Sequence, residues 1–341
     1  MPLRTRAFLL CFVLAAAAAQ AQDNPVTLKL SSWVPMQHPL NPALQAWAED
    51  IKKESNGTIS ATLFPSEQLG KAFDHYDMAR DGIADAAYVN PGYQPGRFPI
   101  FAAASLPFLA SNAKGGSAAV DAWYRAYAAK EMKDVQFCFA FVHDPGSFHS
   151  RTKVVLPTDV KGMKVRPATS TIGQMITVLG GTNVQSSAPE ARDMIERGVA
   201  DAITFPWGSL GLFGIDKVVT YHIDVPLYVT PFVWVLNTDK YNSLSPAQKK
   251  VIDSHCTTEW AEKVASPWAD FESAGKGKIA ALPGHEMVKL TPDQLEAWRK
   301  AVAPVNEQWA QGVQKAGADP KQVLDSLEQS LLKYKSALQG G

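Results

Sequence analysis

The first hundred residues alternate between two hydrophobic periods, and few folds accept that alternation. Val26, Leu28 and Leu30 repeat every second residue, as in a strand with one buried face. Leu44, Trp47, Ala48 and Ile51 repeat at helical spacing until Asn56-Gly57 ends the helix, after a loop from Trp33 to Pro42. Ile59, Ala61 and Leu63 return to the period of two. A helix over 73–80 then leads through Asp81-Gly82 to the strand ADAAYV. Strand–helix–strand–helix–strand is the order of an α/β domain with a largely parallel sheet. VQFCFAFV at 135–142 adds another buried strand.

A second α/β unit starts near Gly146, with KVV, MKV and ITF as short strands and FVWVLN at 232–237 as a dense apolar one. SAPE at 187–190 has the pattern of a capping box, as do SPAQ at 245–248 and TPDQ at 291–294. From SPAQ a helix is expected to run to about Ile279, kinked at Pro267. Some 35 residues would span ~50 Å, enough to brace two domains. The tail from Pro320 reads as helix. The expected division is 22–145 plus about 232–271 for domain I, and 146–231 plus about 272–341 for domain II and the C-terminal helices. Crossing strands rather than a flexible tether should join them.

The N-terminus, MPLRTRAFLLCFVLAAAAAQAQ, has the basic, apolar and small-x-small parts of a cleavable secretory signal over residues 1–21. A periplasmic location follows as an expectation. The apolar part is short of the ~20 residues a spanning helix needs, and no later stretch is longer, so the mature chain is not expected to insert in a membrane. Removing residues 1–21 takes away two arginines and leaves a net charge of −2. Nothing there would neutralise phosphates, which argues against nucleic acid as a partner. Cys138 and Cys256 then remain. Pairing is open to them in an oxidising compartment, but the reading taken is two buried free thiols.

No G-x-S-x-G elbow, phosphate loop or dinucleotide fingerprint occurs, which weighs against an enzyme without excluding one assembled from distant residues, and no cofactor is expected. His143 and His149, six apart around Asp144, match no usual metal spacing. They are read as cleft-lining residues, with ordinary buried or surface histidines as the alternative. Ligands of open α/β sheets bind beyond the carboxyl ends of the strands. There the chain places Tyr88, Asn90 and Tyr93 after one strand, and Phe205 and Trp207 after another. Arg166 precedes Pro167, which biases its backbone to extended conformations. Its guanidinium fork matches a carboxylate in two parallel hydrogen bonds. From position alone it is either a ligand anchor, a surface residue or an internal ion pair with Asp159 or Glu190.

Four phrases occur in one order: FPSEQLGKAFDHYDMARDGIADAAYV, LPTDVKGMKVRPA, VLGGTNVQSSAPEARDMIERGVADAITFPW and LNTDKYNSLSPAQKKVIDSH. Together they resemble the DctP-type solute-binding proteins of tripartite ATP-independent periplasmic (TRAP) transporters, across nearly the whole mature chain. The resemblance implies a two-domain, Venus-flytrap fold with a hinge and a long helix spanning both domains. It implies an organic acid held in the cleft, delivery to small and large membrane permease subunits driven by an ion gradient, and no catalysis. The family's lysine–x–arginine segment, whose arginine salt-bridges the ligand carboxylate, falls on Arg166.

Departures from the pattern bear on the ligand. Sialic-acid-binding members carry a second arginine where this chain has Gly146-Ser147, and an asparagine where it has Phe205. An aromatic or apolar monocarboxylate is therefore expected, with small aliphatic 2-oxo or 2-hydroxy acids as the alternative. Three other classes stay open at this point: a binding protein of an ATP-driven importer, a periplasmic enzyme and a ligand sensor for a membrane receptor.

Overall fold

The structure, a computed structural model, describes residues 23–338. The expected signal segment, residues 1–21, lies outside them. The described residues form eleven strands: β1 (Val26–Ser31), β2 (Ile59–Phe64), β3 (Ala86–Val89), β4 (Gln136–Val142), β5 (Ser147–Ser150), β6 (Lys164–Arg166), β7 (Thr182–Asn183), β8 (Ala202–Phe205), β9 (Tyr221–Ile223), β10 (Pro231–Leu236) and β11 (Glu286–Val288). They form a five-stranded sheet, β2-β1-β3-β10-β4, and a six-stranded sheet, β11-β9-β5-β8-β6-β7.

The periodicities of the first hundred residues are realised. Helix Leu40–Glu54 buries Leu44, Trp47, Ala48 and Ile51, and β1 pairs in parallel with β2 and β3. Each sheet nevertheless has one strand running against the rest. β10 is antiparallel to β3 and β4, and β5 is antiparallel to β8 and β9. The chain crosses between the sheets three times, the last time from β10 to β11 through helices; the other two crossings lead directly into β5 and β10. Those two meet at Gly146, whose N–H donates to the Tyr228 carbonyl at 2.9 Å, while Leu227 N–H donates to the Gly146 carbonyl at 3.0 Å. A Cβ on Gly146 would stand 2.9 Å from the Phe205 carbonyl oxygen and from the Tyr228 ring. No side chain fits there, so the space an arginine would need is taken by Tyr228.

The helix expected from SPAQ is two helices, Pro246–Ser254 and Thr258–Ala280. Thr257 is extended and its hydroxyl caps Trp260 N–H at 3.3 Å, which starts a new helix in a new direction. Pro267 lies inside the second helix. The elbow is also tied covalently: Cys138 and Cys256 form a disulfide, with Cα atoms 4.4 Å apart. This corrects the free-thiol reading, since 118 residues of separation hid a contact made by β4 and the elbow.

Helix Thr258–Ala280 packs on helices Leu40–Glu54 and Ala113–Tyr124 beside the first sheet, and on helix Trp207–Leu212 beside the second. The last contact is backbone to backbone: a Cβ on Gly275 would lie 2.1 Å from Gly208 Cα. The C-terminal helix Pro320–Lys333, placed by the sequence with the second unit, docks Val323, Leu327 and Leu331 against the first. Trp123 Nε1 donates to the Val323 carbonyl at 3.2 Å, and Ser330 Oγ to the Ala119 carbonyl at 2.8 Å.

Two smaller expectations also change. KVV at 153–155 forms no strand because other groups take its backbone: Val155 N–H goes to the Asp159 carboxylate, and its carbonyl to Trp298 Nε1. SAPE closes only loosely, with Ser187 Oγ bonded to the Glu190 carboxylate at 2.9 Å and the helix beginning at Ala191.

Candidate functional site

A cavity lies between the two sheets. Its floor is Arg166, at the end of β6. The side chain is 1% exposed. Nε and Nη2 donate to the Ser186 carbonyl at 3.1 and 2.9 Å, and Nη2 also donates to Tyr93 Oη at 3.1 Å. Asp159 and Glu190, its possible ion-pair partners by sequence, spend their carboxylates on the N–H groups of Val155 and Leu156 and on Ser187. Among the described residues, no carboxylate lies within salt-bridge distance of Arg166. A guanidinium buried beside neutral oxygens alone carries a large uncompensated desolvation cost, and an anion in the cavity offsets it.

Tyr93 comes from the first unit and reaches across. Its Oη accepts from Arg166 and from Ala188 N–H at 2.9 Å, so its own O–H remains available to an acceptor in the cavity. Asn90 spans the same gap, donating Nδ2 to the Ala168 carbonyl at 3.4 Å and accepting from Gly92 N–H at 3.0 Å. Phe205 lies under the guanidinium, 5.8 Å from Arg166 Cζ to the ring centroid. His143 lines the cavity with both ring nitrogens engaged. Thr230 N–H donates to Nε2 at 3.2 Å, so Nδ1–H donates to the Asp144 carbonyl at 2.6 Å.

Tyr88, Trp207 and His149 do not line this cavity. Tyr88 is buried behind Trp33 and stacks on it at 4.8 Å. His149 bonds the Phe205 carbonyl and His222 Nδ1, both at 2.9 Å, and packs its ring edge-on to Trp207 at 4.8 Å. Burial pushes His149 well below the usual histidine range, so it stays neutral beneath the wall.

In their place stand residues the sequence did not single out: Trp33, His38, Phe213, Phe232 and Trp268. Trp33 just follows β1, so the strand-end rule applied once more would have found it. Trp268 arrives from a helix more than a hundred residues downstream and has no local signal. Trp33, Tyr93, Phe205, Phe213, Phe232 and Trp268 line the cavity together with Arg166. His38 Nδ1 accepts from Leu40 N–H at 3.1 Å, which places the ring proton on Nε2 as a donor at the wall. Burial, with His143 nearby, lowers His38 to about 3, and burial lowers His143 to about 4. Both are neutral at physiological pH, so among the described residues Arg166 is the one cationic side chain lining the cavity. Another cavity, near Gln94 and Trp309, has no charged residue in its lining and nothing to select an acid.

Glu272, buried in helix Thr258–Ala280, holds the two units together behind the cavity. Its carboxylate accepts from Gly208 N–H, Ser209 N–H and Ser209 Oγ at the start of helix Trp207–Leu212, and from Trp268 Nε1. Burial pushes this carboxyl up to about 7, against the pull of those four hydrogen bonds. Folded protein thus keeps a proton up to about pH 7 that the unfolded chain loses near its ordinary value of 4.5. Glu272 therefore stabilises fully below pH 4.5, and that contribution fades as the pH rises through 7. Urea titrations at pH 4.5 and 8 should show wild type losing on the order of 3 kcal/mol relative to Glu272→Gln between the two. Equal pH slopes for the two proteins would remove Glu272 as a titrating group.

The sequence profile of the bacterial extracellular solute-binding protein family 7, DctP, matches residues 30–312. Among solved structures, a marine metagenome TRAP solute-binding protein specific for aromatic acid ligands, in complex with 3-hydroxybenzoate, is 31% identical. It superposes with a TM-score of 0.85 over 91% of this chain and 99% of its own. A TRAP solute-binding protein from Rhodoferax ferrireducens with copurified benzoate is 27% identical, with a TM-score of 0.85, covering 91% and 98%. One from Bordetella bronchiseptica with bound (R)- and (S)-mandelate is 28% identical, with a TM-score of 0.84, covering 91% and 99%. The overall fold agrees with that set. The chain belongs to the DctP family and is a TRAP transporter solute-binding protein, not an enzyme.

Proposed function

We propose that this protein captures a single-ring aromatic monocarboxylate and delivers it to the membrane permease subunits of its transporter. The observation that carries the reading is Arg166: a buried cation with no acidic partner among the described residues, in a cavity lined by six aromatic side chains. In this reading the carboxylate pairs with Arg166 and takes the Tyr93 O–H, while the ligand ring lies among Trp33, Phe205, Phe232 and Trp268. His38 Nε2–H and the Thr230 hydroxyl stand where a ring hydroxyl or an α-hydroxyl could be bonded. The relatives that bind benzoate, 3-hydroxybenzoate and mandelate support this choice. Gly146 and Phe205, which stand where the resemblance places an arginine and an asparagine in sialic-acid-binding members, also support it. The protein works in the periplasm, exported by the signal at 1–21, and no described helix is long and apolar enough to cross a membrane.

The test is a thermal-shift panel on mature protein freed of ligand by unfolding and refolding. It compares benzoate, hydroxybenzoates and mandelate with pyruvate, lactate, succinate and glucuronate. A ligand at ~100 times its dissociation constant stabilises by ~2.7 kcal/mol, which raises the melting temperature measurably. Aromatic acids are expected to shift it and sugar acids not to. A response to aliphatic acids alone would keep the arginine anchor and discard the aromatic wall.

A further inference from the structure

We propose that Asp50, Glu54 and His255 form a binding site for a divalent transition-metal cation, of which Zn²⁺ is the type case, away from the ligand cleft. Asp50 and Glu54 are four residues apart and share a face of helix Leu40–Glu54, while His255 sits at the elbow after helix Pro246–Ser254. One ligand atom from each of the three lies within 4.8 Å of the other two.

The histidine points to a cation. His255 is 1% exposed, and its Nε2 has no hydrogen-bond partner. Nδ1 lies 2.8 Å from the Val251 carbonyl, so Nδ1 carries the ring proton and Nε2 presents a lone pair. That lone pair faces Asp50 Oδ2 at 3.4 Å. Two acceptors held face to face repel unless a positive charge lies between them. A ring nitrogen bonded through its other N–H to a backbone carbonyl is the usual arrangement of a metal-bound imidazole. Zinc takes nitrogen at ~2.0–2.1 Å and carboxylate oxygen at ~2.0–2.2 Å, which puts adjacent tetrahedral ligands ~3.3–3.5 Å apart. The Nε2–Oδ2 separation fits that edge.

The imidazole selects against calcium and magnesium, which take oxygen ligands, and three protein ligands leave a fourth position for water. Trp47 Nε1 bonds the His255 carbonyl at 2.9 Å, and the Trp260 ring stacks on the imidazole at 5.1 Å, so the histidine is held in place without the metal. With both cysteines of the described chain in the disulfide, no thiolate competes for the ion. A bound cation would clamp the first helix to the elbow.

The experiment is a calorimetric titration of tag-free, chelator-stripped protein with Zn²⁺, repeated with Co²⁺ and followed by visible absorption. One zinc per chain and the strong bands of tetrahedral cobalt are expected. Asp50→Asn combined with Glu54→Gln changes only partly or fully exposed side chains, so the fold should survive. That variant and His255→Gln are each expected to weaken zinc binding at least tenfold. Retained binding of the cleft ligand serves as the control for folding. Zinc uptake equal in wild type and both variants would overturn the proposal. So would a nitrogen-15 spectrum showing His255 protonated on Nε2 at neutral pH and unmoved by zinc, which would make the cluster an ion pair.

Discussion

Arg166→Ala is expected to weaken binding of the carboxylate ligand by roughly thirtyfold to several thousandfold, the equivalent of ~2–5 kcal/mol. The size follows from burial. In water a carboxylate loses little when one cation is removed, but here the cavity is walled by rings and both histidines beside it are neutral. Without Arg166 the ligand charge would enter a largely apolar cavity whose remaining lining donors are all neutral. Arg166→Lys should recover part of the charge term and little of the geometry, because an ammonium cannot donate in a planar fork. It would also leave the Ser186 carbonyl, now bonded twice by the guanidinium, partly unsatisfied. Calorimetry with the best acid from the panel measures the effect, and urea midpoints without ligand separate it from a folding defect. Unchanged affinity in the alanine variant would mean that the carboxylate binds elsewhere.

Removing the disulfide is expected to cost the folded protein ~2–5 kcal/mol. Cys138 and Cys256 close a loop of 118 residues that contains the whole second sheet except β11, so the bond restrains a large part of the unfolded chain. It also holds the elbow against β4, next to the point where Trp47 bonds the His255 carbonyl. The Cys138→Ala, Cys256→Ala double variant should unfold at lower urea than wild type, and reductant should have the same effect on wild type only. If both thiols of native, unreduced protein react with an alkylating agent, the bond is not formed.

Much of the fold is legible in the chain because it is local. Apolar spacing marks helix Leu40–Glu54 and strands β1 to β3, and the boxes at 245–248 and 291–294 are both realised. Elements whose backbone is claimed by distant groups were read wrongly. Residues 153–155 have the composition of a strand, but Asp159 and Trp298 take the N–H and carbonyl of Val155. The split at Thr257 is a cap inside what looks like continuous helix. The reversed directions of β5 and β10 leave no trace in composition.

The site divides in the same way. Arg166, Tyr93, Asn90 and Phe205 sit at or just past strand ends, where a rule about open sheets points, and the cavity brings them together with His143. Tyr88 and Trp207 satisfy that rule equally well, yet they and His149, expected in the cleft as a histidine, support the wall from behind. Which side of a strand end faces a cleft is decided by packing between sheets. Phe232 and Trp268 enter only through such packing, from a strand and a helix whose residues look like ordinary core.

The place of β10 also bears on the order in which the molecule can assemble. It lies between β3 and β4, and β4 has no other partner in the sheet. The first sheet therefore waits for residues 231–236, which follow the strands β5 to β9 of the second. The sheet begun first cannot close until five strands of the other have been made. Until β10 arrives, β3 and β4 expose unpaired edges of largely apolar sequence, the surface on which slow, non-local folding invites aggregation.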